Sequence, residues 1–334
     1  MLWPVLGGIR FYLALIVAGA HLNAFTPPGD YVRTRLEALS PHTAVFGFFI
    51  LSGFSIAASL AKNVEGFYFR RALRILPLYL LAIMAGALCL LPFGGHLEPP
   101  EYDYVAPAWT QVMGNLFFLQ GFFCDRIMAN AVVWTLSIEV FLYLCAPFLK
   151  RLSFGPVAMI AAASAVIFIL SRSSGTPHYS YLRYGAALPL MAWPWLIGFL
   201  AFRLQNKAEA ALMVLSVSLI AITLNPSFVR HRWIITLAVV SAGIGFAGRL
   251  KGPAWLARFL DTLGDISYPL YLFHIPVYLL FWGNFGRTNG LALLGIAVAT
   301  AAALDFFYDG PIKAAVLRTL KSRAVPPSPI ADAA

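Results

Sequence analysis

Long apolar runs dominate the chain, broken at short intervals by clusters of Arg, Lys, Pro and Gly. Ten of these runs are candidate structural units: residues 8–25, 42–61, 72–93, 131–149, 154–171, 189–203, 208–224, 232–248, 265–284 and 288–308. A hydrocarbon core about 30 Å thick takes roughly 20 mostly apolar residues per helical crossing. Lipid offers backbone groups no partner, so each crossing is expected to be an α-helix rather than an open strand. The runs are also too uniformly apolar for the alternation of a transmembrane barrel. The pattern predicts an all-α fold: one polytopic membrane bundle of about ten transmembrane helices.

Composition agrees. Of 334 residues, 60% are apolar and 11% charged, against about 25% charged in a soluble average. With the amino terminus in the cytoplasm, sixteen of the 24 Lys and Arg fall on that side, so the positive-inside rule favours both termini in the cytoplasm. The formal charge of +10 is then a topology signal rather than a nucleic-acid footprint. The first run opens MLWPVLGG and places Arg10 inside the apolar stretch, unlike a cleaved signal peptide, whose charge precedes its core.

Between helices the longest interruption, residues 94–130, begins with a Pro-rich acidic loop holding Glu98, Glu101 and Asp103. It continues as NLFFLQGFF, which is too short to span and is expected to be re-entrant or interfacial. Residues 1–312 form the transmembrane domain, and residues 313–334 read as a basic, Pro-rich cytoplasmic tail with a disordered end. The cysteines, Cys89, Cys124 and Cys145, are odd in number and have no metal-type spacing, which argues against a disulfide framework. No zinc cluster, Walker loop, GxSxG elbow or dinucleotide fingerprint is present, so neither a metal nor a redox cofactor is expected.

Ionisable groups inside membrane helices are costly, and each is therefore a candidate for function. Arg10 and His21 lie eleven residues apart, which is within about 20° of three full helical turns and about 16 Å of rise, so they share a face at different depths. Arg10 could snorkel to lipid phosphate. His21 sits deeper and has the side chain suited to proton transfer near neutrality. Arg70, Arg71 and Arg74 begin a helix at the cytoplasmic boundary, where three guanidiniums suit phosphate or simply mark topology; Pro77 would bend that helix open. In FFILSGFSIAASL, Ser52 and Gly53 read as small residues that admit a neighbouring backbone, and no local base nominates Ser52 as a nucleophile. Glu139, with Ser137 and Tyr143 near it in VVWTLSIEVFLYL, must be protonated or partnered. It could orient His21, accept from a substrate or pair with an arginine. His274 lies mid-helix as a pocket or packing residue. Asp265 is expected to cap its helix, and Asp305 and Asp309 to form salt bridges.

Taken in order, these stretches resemble the integral-membrane acyltransferase-3 family, the membrane O-acyltransferases of the OafA/NodX/ExoZ type. Arg10 and His21 match its Arg-x10-His pattern, and FFILSGF its FFxLSGF. RRALRILPLY is similar to RRxxRIxPxY, WTLSIEVFLYL to WSLSxExxFYL, with Trp134 at its head, and ISYPLYLFHIP to ISYxxYLxHxP. DFFYDGPI departs from the family's aromatic, glutamate and proline. No esterase-like domain is appended, so the expectation is a membrane module acting alone or with separate partners.

The resemblance implies transfer of an acyl group, commonly acetyl, from cytoplasmic acyl-CoA (acetyl-CoA as the expected donor) to a hydroxyl of a carbohydrate or lipid-linked glycan acceptor. It implies residence in the lipid bilayer of a bacterial cytoplasmic (inner) membrane, with no nucleic-acid partner. His21 is then the catalytic base or proton relay, assisted by Arg10 and Glu139. Arg70, Arg71 and Arg74 hold acyl-CoA, and Ser52, Trp134, Ser137, Tyr143 and His274 are pocket candidates. The alternative is a proton-coupled secondary transporter or flippase, although the halves show no inverted repeat. A scaffold without chemistry would leave the intramembrane charges as pure cost.

Overall fold

The computed structural model describes residues 2–171, 179–225 and 232–324. Every one of the ten apolar runs is helical. The helices are α1 (Leu2–Ala20), α2 (Tyr31–Glu37), α3 (Pro41–Lys62), α4 (Phe67–Leu88), α5 (Trp109–Leu116), α6 (Trp134–Arg151), α7 (Phe154–Leu170), α8 (Ala187–Arg203), α9 (Lys207–Leu224), α10 (Trp233–Phe246), α11 (Ala254–Phe285), α12 (Gly290–Leu304) and α13 (Gly310–Ala324). Among the described residues, seven helical stretches are long and apolar enough to cross a membrane, while α7, α8 and α10 are shorter apolar helices. A two-residue hairpin, β1 (His96–Leu97) with β2 (Tyr104–Val105), is the sheet among the described residues.

Several boundaries differ from the hydropathy reading for local reasons. α1 starts at Leu2 because Pro4 is tolerated in a first turn, where its missing N–H would be unsatisfied anyway. It closes at Ala20 into a 3-10 turn over His21–Ala24. Asp265 does not cap a helix: α11 begins at Ala254, so Asp265 stands in its interior. The expected tail is partly ordered. A π-helical turn at Asp305–Asp309 passes into α13, whose Lys, Ala, Leu and Arg are good helix formers, and Asp309 pairs with Lys313 one turn on. Residues 325–334 lie outside the described residues. The short α2 had no apolar signature; it is set by Asp30, whose side chain accepts from the Arg33 backbone N–H at 3.0 Å.

At the centre α1 lies along α11, and α3 along α8. Both pairs approach through glycine. A Cβ on Gly264 would sit 2.8 Å from the Gly7 Cα, and one on Gly53 would overlap the Trp195 carbonyl oxygen of α8. The close approach read from Ser52 and Gly53 is therefore made by Gly53. Without lipid-excluding hydrophobic pressure, such backbone contact is what holds membrane helices together. Gly53→Ala is expected to lower the thermal unfolding midpoint in detergent, at a cost of about 1–3 kcal/mol or more, as overpacking does; an unchanged midpoint would show that α3 and α8 tolerate separation. Beside this contact, Phe46, Phe168 and Trp193 pack with ring centroids 5.4–5.6 Å apart.

The 94–130 interruption is structured. Besides the hairpin it contains α5, whose Trp109 is exposed, followed by the exposed Phe117 and Phe123. Its interior is tied down by Asn115, which donates to the Gln111 and Asp125 carbonyls at 2.9 and 2.8 Å, and by Gln120, which donates to Val133 at 2.8 Å. The acidic residues pair within the protein. Glu101 accepts from Asn23 at 2.5 Å, and Asp103 bonds His96 at 2.7 Å. His96, Glu98 and Asp103 are all exposed, with ligand atoms within 4.8 Å of one another.

Candidate active site

Two cavities lie at different levels along α1 and share a wall. The first lies beside Arg10 and is lined by Ser52 and Ser55 of α3, Arg71 and Arg74 of α4, Glu139 and Tyr143 of α6, and Tyr268 and Tyr271 of α11. Its volume is about 100 Å³. Three guanidiniums face one carboxylate, an excess of positive charge that favours an anionic guest. Arg10 donates to Ser55, which in turn donates to the Leu51 carbonyl at 2.7 Å. Glu139 accepts from Ser52 and from Tyr143, each at 2.5 Å. Arg71 keeps a buried Nε without a partner, a donor position that in native proteins is normally answered by a ligand or water.

The second cavity, about 390 Å³, is lined by His21, Asn23 and His42 together with Arg126, Tyr102, Tyr104, Trp134 and Tyr181. Aromatic walls with scattered polar groups are the usual lining of a small-molecule site. Val45 and Tyr271 line both cavities and so form the partition between them. Tyr271 is held there by its hydroxyl, 2.9 Å from Thr135 Oγ1, and by the Phe48 ring at 5.3 Å.

The proton inventory of His21 follows from its neighbours. His274, fully buried, has Nδ1 3.1 Å from the Leu270 carbonyl, so that nitrogen carries the proton and Nε2 carries a lone pair. His274 Nε2 lies 3.1 Å from His21 Nδ1, which also lies 2.9 Å from the Val17 carbonyl. Both neighbours accept, so His21 Nδ1 is the donor. Its Nε2 is left as the basic nitrogen of a side chain that lines the second cavity.

Of the sequence-derived candidates, Arg10, Arg71, Arg74, Ser52, Glu139 and Tyr143 come together in the first cavity, and His21 and Trp134 in the second. Arg10 and His21 thus serve different chambers. Glu139 makes no hydrogen bond to His21: the residue orienting His21 comes from α11, and Glu139 is engaged by Ser52 and Tyr143. Arg70 leaves the guanidinium cluster, because it donates to the Asn63 and Glu65 carbonyls, both at 2.5 Å, and satisfies the loop before α4. It lines a separate groove with Asp265, Asp305 and Lys313. Ser137 turns its hydroxyl to the Trp134 carbonyl at 2.9 Å and lines neither chamber.

Sequence reasoning missed Ser55, Tyr268, Tyr271 and Arg126. The first three were legible in principle: Ser55 follows Ser52 at i+3, and Tyr268 and Tyr271 precede His274 at helical spacing. Arg126 stands in an irregular segment and had no such signal. It is 7% exposed and lies under Tyr181, with 4.0 Å from its guanidinium carbon to the ring centroid. Burial pushes its pKa down, while Tyr181 and Asp125 push the other way; an arginine so placed is still a cation.

The bundle thus carries a cationic chamber and a histidine chamber that meet at Val45 and Tyr271. The family profile described as "Acyltransferase domain" matches residues 4–308, and the chain belongs to that family, acyltransferase-3. It is similar to a Bacillus subtilis (strain 168) protein named "Putative peptidoglycan O-acetyltransferase YrhL", with 24% identity over 324 residues that cover 83% of this chain and 49% of the relative. The chain therefore spans about half the length of the curated relative it matches. No solved structure matches the chain.

Proposed function

We propose that this chain is an O-acyltransferase of the bacterial cytoplasmic membrane, with ten crossings and both termini in the cytoplasm. In this reading it moves an acetyl group from cytoplasmic acetyl-CoA to a hydroxyl of a carbohydrate or lipid-linked glycan. The observation that carries the reading is the pair of chambers, one lined by three arginines and one by His21 among aromatic rings, meeting at Val45 and Tyr271. Arg71 and Arg74 receive the phosphates of the donor, and Arg10, deeper in the same chamber, offsets negative charge that develops at the thioester. The thin acyl-bearing arm reaches the partition, and the acceptor fills the larger chamber.

The acceptor oxygen attacks the thioester carbonyl as its proton passes to His21 Nε2. A C–O bond forms, the C–S bond breaks, and the thiolate leaves with the proton that His21 returns. Ser52, Glu139 and Tyr143 form one hydrogen-bonded unit that holds the cationic chamber in shape. Family membership, the aromatic and polar lining beside His21 and the relative's printed name all support a glycan acceptor.

The test is transfer. Purified protein in lipid discs, given radiolabelled acetyl-CoA and a panel of oligosaccharides, is expected to move label onto sugar. A proton-coupled transporter would consume no thioester, and label confined to acetyl-CoA across the panel would overturn the enzymatic reading.

A further inference from the structure

The wall of the histidine chamber contains a cation that no carboxylate of the described residues meets in a hydrogen bond or ion pair, Asp125 acting on it only from a distance. Arg126 is more than nine-tenths buried. Nη1 donates to the Ser180 carbonyl, the flat face lies on Tyr181, and Nε has no hydrogen-bond partner. The neighbouring carboxylates are committed elsewhere. Asp125 is gripped by both arms of Arg183, with Nε donating at 2.8 Å. Glu37, on the rim of the same chamber, lies 3.7 Å from Arg33, and Glu101 accepts from Asn23.

A buried cation without a directly bonded anion is expensive, and its desolvation amounts to several kcal/mol unless an anion and further hydrogen bonds compensate. A structural role would be served by a partner within the protein. Here the guanidinium is placed in the wall of a cavity of about 390 Å³ that also holds His21, and its Nε is without a partner. Planar guanidinium matches the two oxygens of a carboxylate or phosphate.

We propose that the acceptor chamber selects a glycan bearing an anionic oxygen group, with Arg126 as the specificity-determining residue. The shared chemistry has two sources: the carboxylate of an acidic sugar, or the phosphate of a lipid-linked one. The inference rests on the acyltransferase reading for the acceptor's identity as a glycan, but not for the binding itself. Tyr102, Tyr104 and Trp134 supply apolar faces for the sugar rings, while Arg126 holds the anionic group.

The experiment measures binding and transfer separately on the full chain in lipid discs. Three probes are titrated: a neutral N-acetylglucosamine oligosaccharide, an oligosaccharide of similar length containing glucuronate, and a polyprenyl-diphosphate-linked sugar. Wild type is expected to bind at least one anionic probe about tenfold or more tighter than the neutral one, the scale of one charge-assisted contact. Arg126→Gln is expected to abolish that preference. Arg126→Lys keeps the charge without the fork and is expected to fall between. The glucuronate and diphosphate arms separate the two sources.

Equal wild-type affinity for neutral and anionic probes, no binding of either anionic probe, or a preference that survives Arg126→Gln in folded protein would overturn the inference. Selective anionic binding without acetyl transfer would overturn only the enzymatic reading. Equal acetylation of neutral and anionic sugars would overturn only this one.

Discussion

His21→Ala is expected to lower acceptor acetylation by about 10²–10⁴-fold, the range of a lost general base. The argument is geometric. His21 lines the second chamber with Nδ1 committed to Val17 and His274, which leaves Nε2 as its basic nitrogen. The proposed reading puts the donor's phosphates with Arg71 and Arg74 in the other chamber, so acetyl-CoA affinity is expected to stay unchanged. Loss of donor binding together with activity would instead point to unfolding. The positioning role of His274 is read from the same assay. His274→Ala should lower kcat by roughly tenfold and leave KM unaltered, the pattern of a contact that matters in the transition state rather than in binding. Residual transfer near the wild-type rate in His21→Ala would remove the imidazole from the chemistry altogether.

Replacing Arg71 and Arg74 together by Gln should weaken acetyl-CoA binding by about 10²–10⁴-fold, because each charge-assisted hydrogen bond contributes about 1.5–3 kcal/mol. Arg71 is half-buried with its Nε unanswered, and Arg74 opens to the surface at the mouth of the same chamber, so one suits a bound phosphate and the other its approach. Arg70→Gln is the control. Its guanidinium caps the carbonyls of Asn63 and Glu65, and its loss should leave donor affinity near wild type. A titration in which Arg70→Gln costs as much as the double variant would return the three arginines to a purely topological role. Raising the salt concentration should weaken the wild-type complex as well, most strongly through the exposed Arg74.

The apolar runs and the order of motifs were sufficient to read an all-α membrane bundle and its family, because burial in lipid imposes helix on any uniformly apolar stretch of adequate length. They also singled out Arg10, His21, Glu139 and the arginine cluster, since intramembrane charge is rare enough to stand out without any structure. Pairing was not legible. Ser52 meets Glu139 across 87 residues, and His21 meets His274 across 253. Helical periodicity reaches only a few turns and carries no information about which face of which helix will be opposite. The division of Arg10 and His21 between two chambers, the withdrawal of Arg70 from the cluster, and the burial of Arg126 beside the base all depend on helix packing at Gly7, Gly53, Gly198 and Gly264. Those close contacts set the distances between elements, and distance decides which charges can share one guest.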